Sequence, residues 1–201
     1  MTIAQLFDSA LSVFGVRTAE EPHYDIVERI GEVEIRRYGP RLAAETIIAS
    51  GDNTMNEAFF ILAGYIFGGN QKKQDIAMTA PVGIERGQDI AMTAPVATEA
   101  TQEGLTMRFF LPCSVTLANA PEPNDERVKL VPIGEETLAA LRYSGTWSEE
   151  ARKQEERELL AAIEGSRWQA SGGPFAQLYD PPFTIPFLRR NEVAVRVAPR
   201  S

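Results

Sequence analysis

The stretch 74–96 reads QDIAMTAPV-GIERG-QDIAMTAPV, so the nine residues 74–82 recur unchanged at 88–96. Within the first copy Ile76, Met78, Ala80 and Val82 alternate with Ala77, Thr79 and Pro81. Ile90, Met92, Ala94 and Val96 do the same in the second. A period of two is the strand signature. The linker Gly83-Ile84-Glu85-Arg86-Gly87 has glycine at both ends, which suits a loop between antiparallel strands, and a hairpin is expected. Pro81 and Pro95 each remove an N–H next to the end of a copy, which a sheet tolerates at an edge or a strand terminus. Two copies are too few for a solenoid, which needs about three stacked units. A ligand-gripping role for the repeat is the alternative to a purely structural one.

Immediately upstream, Thr54-Met55-Asn56-Glu57 fits a capping box, with Thr54 as cap. Ten uncharged residues follow, from Ala58 to Phe67, and Gly68-Gly69-Asn70 stops the helix. At about 100° per residue, Met55, Ala58, Ile61, Leu62, Tyr65 and Ile66 share a face that can pack on a sheet. The opposite face holds Asn56, Phe59, Phe60, Ala63, Gly64 and Phe67. A helix at a surface is polar on its outer side, and this one is not. Something must cover it: more of the same chain, a second subunit or an apolar ligand.

Further out lie strand candidates on both sides. Residues 24–30, 33–38 and 43–49 precede the helix and are separated by gaps that suit a meander. Residues 105–111, 128–131 and 138–143 follow the repeat, the last of them ambiguous between strand and helix. Between the first two of these, Pro121-Glu122-Pro123-Asn124-Asp125 reads as a rigid loop. A charge-dense helix is expected over 148–164, with Leu159, Leu160 and Ile163 as its narrow apolar stripe; its carboxylates read as a solvated face. Residues 176–179 and 192–197 read as the closing strands. Strands precede a helix and strands follow it, twice. The expected fold is α+β: a distorted antiparallel β-barrel or sheet from two similar halves, flanked by two α-helices. Residues 1–22 form a separate piece, an amphipathic helix and acidic linker, with Ile3, Leu6, Phe7, Ala10, Leu11 and Phe14 on one stripe. Residues 23–201 are read as a single domain.

Composition narrows the function. The 201 residues carry a formal net charge of −8, which gives nucleic-acid binding no electrostatic support. Cys113 and His23 are each the only residue of their kind, which closes off disulfides, multi-cysteine metal sites and most histidine-based catalysis. Cys113 is read as a strand residue. No apolar run approaches the ~18 residues of a membrane span. The start of the chain lacks a basic segment ahead of its apolar run, so a secretory signal is not expected and a cytoplasmic location is.

The motifs Ile35-Arg36-Arg37-Tyr38, Asn56-Glu57-Ala58-Phe59, Ile76-Ala77-Met78-Thr79-Ala80-Pro81-Val82, Met107-Arg108-Phe109, and Tyr179-Asp180-Pro181-Pro182 with Arg189-Arg190-Asn191-Glu192 resemble the SOUL/heme-binding protein family over nearly the whole chain. The resemblance implies a distorted barrel flanked by two helices. It also implies reversible, non-covalent binding of heme or another tetrapyrrole in an apolar cleft beside the first long helix, with no catalytic step and no catalytic residues. On this chain that cleft falls on Phe59, Phe60, Ala63 and Phe67. Vertebrate members carry basic side chains on that helix and in the proline-rich C-terminal loop, proposed to pair with the propionates; here the helix offers Phe60 and the loop Thr184, and Lys72, Lys73, Arg189 and Arg190 are the nearby substitutes. Some members are thought to use an axial histidine, for which His23 is the sole candidate. The alternatives are a protein-interaction or self-associating module, with a homo-oligomer burying the same face, and a sensor of other hydrophobic small molecules.

Overall fold

The computed structural model describes residues 19–49, 53–86, 104–180 and 184–200. In chain order the elements are β1 (Tyr24–Ile30), β2 (Val33–Tyr38), β3 (Arg41–Ala49), α1 (Thr54–Ile66), β4 (Val82–Arg86), β5 (Gly104–Phe110), β6 (Lys129–Ile133) and β7 (Glu136–Tyr143). There follow α2 (Glu149–Ile163), β8 (Trp168–Ala170), β9 (Phe175–Leu178), a short 3-10 turn Pro186–Leu188, and β10 (Asn191–Pro199). Strands flank each helix on both sides, as the two-halves pattern implies. The described strands join one antiparallel sheet in the order β1-β2-β7-β10-β9-β4-β5-β3-β6, with β8 paired to β10. The fold is the expected α+β sheet with two helices.

Alternation along each strand sorts the sheet into two faces. On one face α1 packs Ala58, Ile61, Leu62, Tyr65 and Ile66 against Leu42, Ala44, Val82, Ile84, Leu105, Met107 and Phe109. On the same face α2 packs Leu159 and Ile163 against Val33, Ile35, Leu141, Val193 and Val195. Ala176 of the first cluster pairs in register with Val193 of the second, so both helices lie on one side. Leu160, read as part of the apolar stripe of α2, is exposed instead. Ser148 caps α2 by accepting from the Ala151 N–H.

The other face combines a small apolar cluster of Tyr38, Leu138, Ala140, Phe175 and Ala194 with networks of charged side chains. A chain of ion pairs runs from Arg41 of β3 to Glu136 of β7, then to Arg196 of β10 (3.1 Å), Glu85 of β4 (2.7 Å), Arg108 of β5 (2.9 Å) and Glu45 of β3 (2.6 Å). β3 and β7 are not neighbours in the sheet, so the sheet must curl to bring Arg41 to Glu136. Burial opposes ionisation of Glu85, but Arg108 and Arg196 outweigh it and hold the carboxyl below its usual range. A second network centres on Glu192, which is fully buried. It accepts from Arg36 at 2.6 and 3.1 Å, from Arg190 at 2.9 Å and from the Tyr179 hydroxyl at 3.0 Å.

Several expectations fail for physical reasons. β1 pairs with β2, but β3 leaves the meander to pair with β5 and β6, because its apolar residues belong under α1. The strand reading of 138–143 holds over its helical alternative: β7 lies between β2 and β10, where both edges are hydrogen-bonded. Asn53, not Thr54, holds the cap position of α1, in the left-handed conformation (φ 66°), and its carbonyl accepts from the Glu57 N–H. Cys113 lies on an exposed turn after β5 rather than in a strand, its N–H donating to Glu20.

The repeat departs furthest. Val82, the last residue of the first copy, and Gly83-Ile84-Glu85-Arg86 of the linker form the strand β4, paired to both β5 and β9. The alternating residues 76–81 are not in a strand. They are stitched down singly: Ile76 N–H to Ile66 O, the Thr79 hydroxyl to Phe110 O, and Ala80 N–H to Glu20 O. The sequence alternation does not match burial: Met78 is exposed while Thr79 and Ala80 are buried, because each residue is placed by its own contact rather than by a ladder. The second copy and the N-terminal amphipathic stretch lie outside the described residues.

Candidate ligand-binding site on the first helix

The helix α1 is built to show one apolar face to the sheet and another to the outside. Its inner residues are buried as their spacing requires. On the outer side Phe60 is 71% exposed, Phe67 65% and Phe59 37%. Phe59 and Phe60 meet edge-on at 5.9 Å, and Phe59 also contacts Phe109 of β5 at 5.5 Å. The aromatic patch is therefore continuous with the core. Gly64 adds flatness: a β-carbon there would meet nothing within 4 Å. Ala63, assigned to this face from the sequence, is buried and does not form its wall.

The helix ends at Gly68 and Gly69. Gly68 takes φ 91°, and the Gly69 N–H donates to the Gly64 carbonyl at 2.8 Å, a glycine-based stop. A β-carbon on Gly69 would collide with that carbonyl, so glycine is required. Asn70, fully buried, donates to the carbonyls of Tyr65 (3.1 Å) and Gln74 (2.7 Å) and accepts from the Gln74 N–H (3.1 Å). Both ends of its amide are thus in use. This clip fixes the start of the first repeat copy against the end of α1.

An open cleft of about 1010 Å³ lies along α1, between Glu57, Phe60, Ile61, Gly64, Tyr65 and Gly69 on one side and Asn124, Asp125, Glu126 and Arg127 on the other. The loop side is held by backbone hydrogen bonds from Gln71 to Glu122 and from Asn124 to Gly69. Arg127 pairs with Asp125 at 2.7 Å and with Glu57 at 3.5 Å across the cleft mouth. In the sequence, 121–125 reads only as a rigid loop, and the one signal that it faces α1 is the Asp125/Arg127 charge pair available to Glu57. Tyr65 lines the cleft, but its hydroxyl donates inward to Pro121 O (2.9 Å), and burial pushes its pKa up.

The other candidates divide. Lys72 and Lys73 are exposed just beyond the C-terminal end of α1, with Lys72 donating to Asn119 O at 3.2 Å. Arg190 is committed to Glu192 and Glu21. Arg189 donates to Thr184 O. His23 precedes β1, which pairs with β2, whereas α1 sits over β3 and β5. The His23 side chain is 95% exposed, with Asp25 4.0 Å away. The structure does not bring it to the phenylalanine group.

A family model described as SOUL heme-binding protein matches residues 19–196. The chain belongs to the SOUL heme-binding protein family. This SOUL chain is 29% identical over 143 residues to mouse (Mus musculus) heme-binding protein 2, covering 69% of this chain and 64% of the mouse protein. It is 28% identical over 142 residues to pig (Sus scrofa) heme-binding protein 1, covering 71% and 70%. The chain thus spans less than two thirds of the mouse relative. Among solved structures, the EcmrR C-terminal domain superposes with a TM-score of 0.57 at 10% identity, over 88% of this chain and 99% of that one. A hydrolase from Listeria innocua superposes with 0.55 at 12% identity, over 96% and 98%. At such identities the likeness is one of fold alone. Among the described residues no helix is long and apolar enough to cross a membrane.

Proposed function

We propose that this chain binds heme or a related tetrapyrrole non-covalently, as a carrier or buffer, on the outer face of α1. The observation that carries the reading is the exposed Phe59–Phe60–Phe67 face beside an open cleft, in a chain whose family is named for heme binding. A tetrapyrrole is flat and largely apolar, and the aromatic side chains with the bare Gly64 offer a flat apolar wall. When bound, heme supplies an iron centre and two propionates. The residues present fit the ring and its propionates, but His23 and Tyr65 are both turned elsewhere as iron ligands. Contact with the ring is therefore the main source of affinity. Glu57, Asp125 and Glu126 would repel carboxylates, so Lys72 and Lys73, beyond the other end of the helix, are the residues that would hold the propionates. Glu57 and Asp125, two of the carboxylates lining the cleft, are engaged by Arg127, and the reading includes no catalytic step.

Hemin titration followed in the Soret band tests the proposal. A 1:1 endpoint is expected, and Phe60→Asp is expected to weaken binding by about tenfold or more, from the lost burial of one phenylalanine. Equal affinity in that variant would place the ligand elsewhere.

A further inference from the structure

A glycine inside a helix destabilises it relative to alanine, because glycine loses more backbone freedom on folding and brings no side chain to pack. Gly64 sits in the last turn of α1, two residues before the end of the helix at Ile66. It is exposed, its backbone is not left-handed, and among the described residues a β-carbon there would meet nothing within 4 Å. The helix stop does not require it either. That stop demands glycine at 68, which takes φ 91°, and at 69, where a β-carbon would stand 2.4 Å from the Gly64 carbonyl oxygen. Gly64 itself contributes only that carbonyl, which accepts from the Gly69 N–H, and any residue supplies one. The fold would accept alanine at 64.

Its neighbours on the outer face supply the reason. At the rise of an α-helix, Phe60 stands about 6 Å before Gly64 along the axis and Phe67 about 4.5 Å beyond it. At about 100° per residue the two phenylalanines lie within about 20° of each other around the helix, and Gly64 is about 40–60° to one side. That is the side of the cleft, which Gly64 lines together with Phe60. Both rings are largely exposed, so the helix presents bare backbone between them, a notch about 10 Å long that opens into the cleft. A flat ring laid there touches both phenylalanines and the backbone at once. A methyl group at 64 would lift it, and a gap of about 0.5–1 Å already forfeits about a quarter to a half of each contact. We propose that Gly64 is the specificity-determining residue of this site, admitting a planar macrocycle and rejecting a linear tetrapyrrole, whose folded chain cannot lie flat in the notch. The inference rests on the ligand reading above and narrows its ligand class to cyclic tetrapyrroles.

Thermal melts of the ligand-free protein and absorbance titrations with protoporphyrin and bilirubin, in wild type, Gly64→Ala and Phe60→Asp, test this. In Gly64→Ala the ligand-free Tm is expected to rise by about 1–4 °C, while protoporphyrin binding weakens about fivefold or more. A purely structural glycine would behave oppositely, its replacement lowering the Tm. A lower Tm in Gly64→Ala would therefore overturn the proposal. So would protoporphyrin affinity equal to wild type in Gly64→Ala while Phe60→Asp binds more weakly, and the ligand reading would then stand. Unchanged affinity in both variants, or no binding by wild type, would overturn the reading and the proposal with it. Wild type is also expected to bind bilirubin about tenfold or more weakly than protoporphyrin, a gap of about 1.4 kcal/mol, and Gly64→Ala is expected to narrow that gap. Bilirubin bound as tightly as protoporphyrin, or a gap unchanged in Gly64→Ala, would show that Gly64 does not set the choice of ligand.

Discussion

Replacing Glu192 by alanine removes the centre of the buried network that joins β2 to β10. The carboxylate has no exposure, and it receives two hydrogen bonds from Arg36, one from Arg190 and one from Tyr179. Removing one partner of a buried ion pair costs about 3–5 kcal/mol, because the remaining charge stays desolvated. Here Arg36 keeps Glu34 at 2.9 Å and Arg190 keeps Glu21 at 3.0 Å. These remaining partners place the loss near the lower end, about 3 kcal/mol. For a chain of this length that is a fall in Tm of about 6–12 °C. The acid limb should change too. Burial opposes ionisation of Glu192, but Arg36 and Arg190 hold its carboxyl below the usual range. Its contribution is therefore complete above the unfolded value, about 4.3, and is lost as pH falls through the lower folded value. Thermal melts at neutral pH and at several acid values, in wild type, Glu192→Ala and the partly exposed Glu21→Ala, test this. Glu21→Ala should cost about 1 kcal/mol or less. A Glu192→Ala melt within about 2 °C of wild type, or an acid limb as steep as wild type, would refute the reasoning.

Two further outcomes follow from packing and from the repeat. Leu159→Ala should cost about 2–5 kcal/mol in denaturant melts, whereas Leu160→Ala should stay within about 1 kcal/mol, because Leu159 is buried and Leu160 exposed. Excising 88–101 removes the second copy and leaves every described contact of 74–86 in place. It also shortens the β4–β5 connection from 87–103 to positions 87, 102 and 103. That relieves about 1.5 kcal/mol of loop-closure entropy. A melt equal to or a few degrees above wild type is expected; loss of the fold would show that the second copy supplies part of the frame.

How much of this was legible depended on whether one residue's neighbours in sequence decide its environment. The strands 24–30 and 33–38 and the two faces of α1 were readable, because alternation and helical spacing report burial directly. The outer phenylalanines were legible for the same reason. Gly83–Arg86 was not: its strand state comes from pairing with β5 and with Ala176–Gln177, which are distant in sequence. The run 76–81 shows the converse, a strand-like pattern held by single hydrogen bonds. In the sequence Asn70 reads only as part of the helix stop and Asn124-Asp125 only as loop, because only the folded chain brings Tyr65, Gln74 and Glu57 beside them.

The central claim is that a tetrapyrrole is held by the apolar face of α1 rather than by an iron ligand from this chain. Parallel absorbance titrations with hemin and metal-free protoporphyrin test it most directly. Both should bind 1:1 with Kd values within about tenfold of each other, a gap of about 1.4 kcal/mol, and Phe60→Asp should weaken both alike. A preference for hemin of about a hundredfold or more, or no spectral change with either compound, would contradict it.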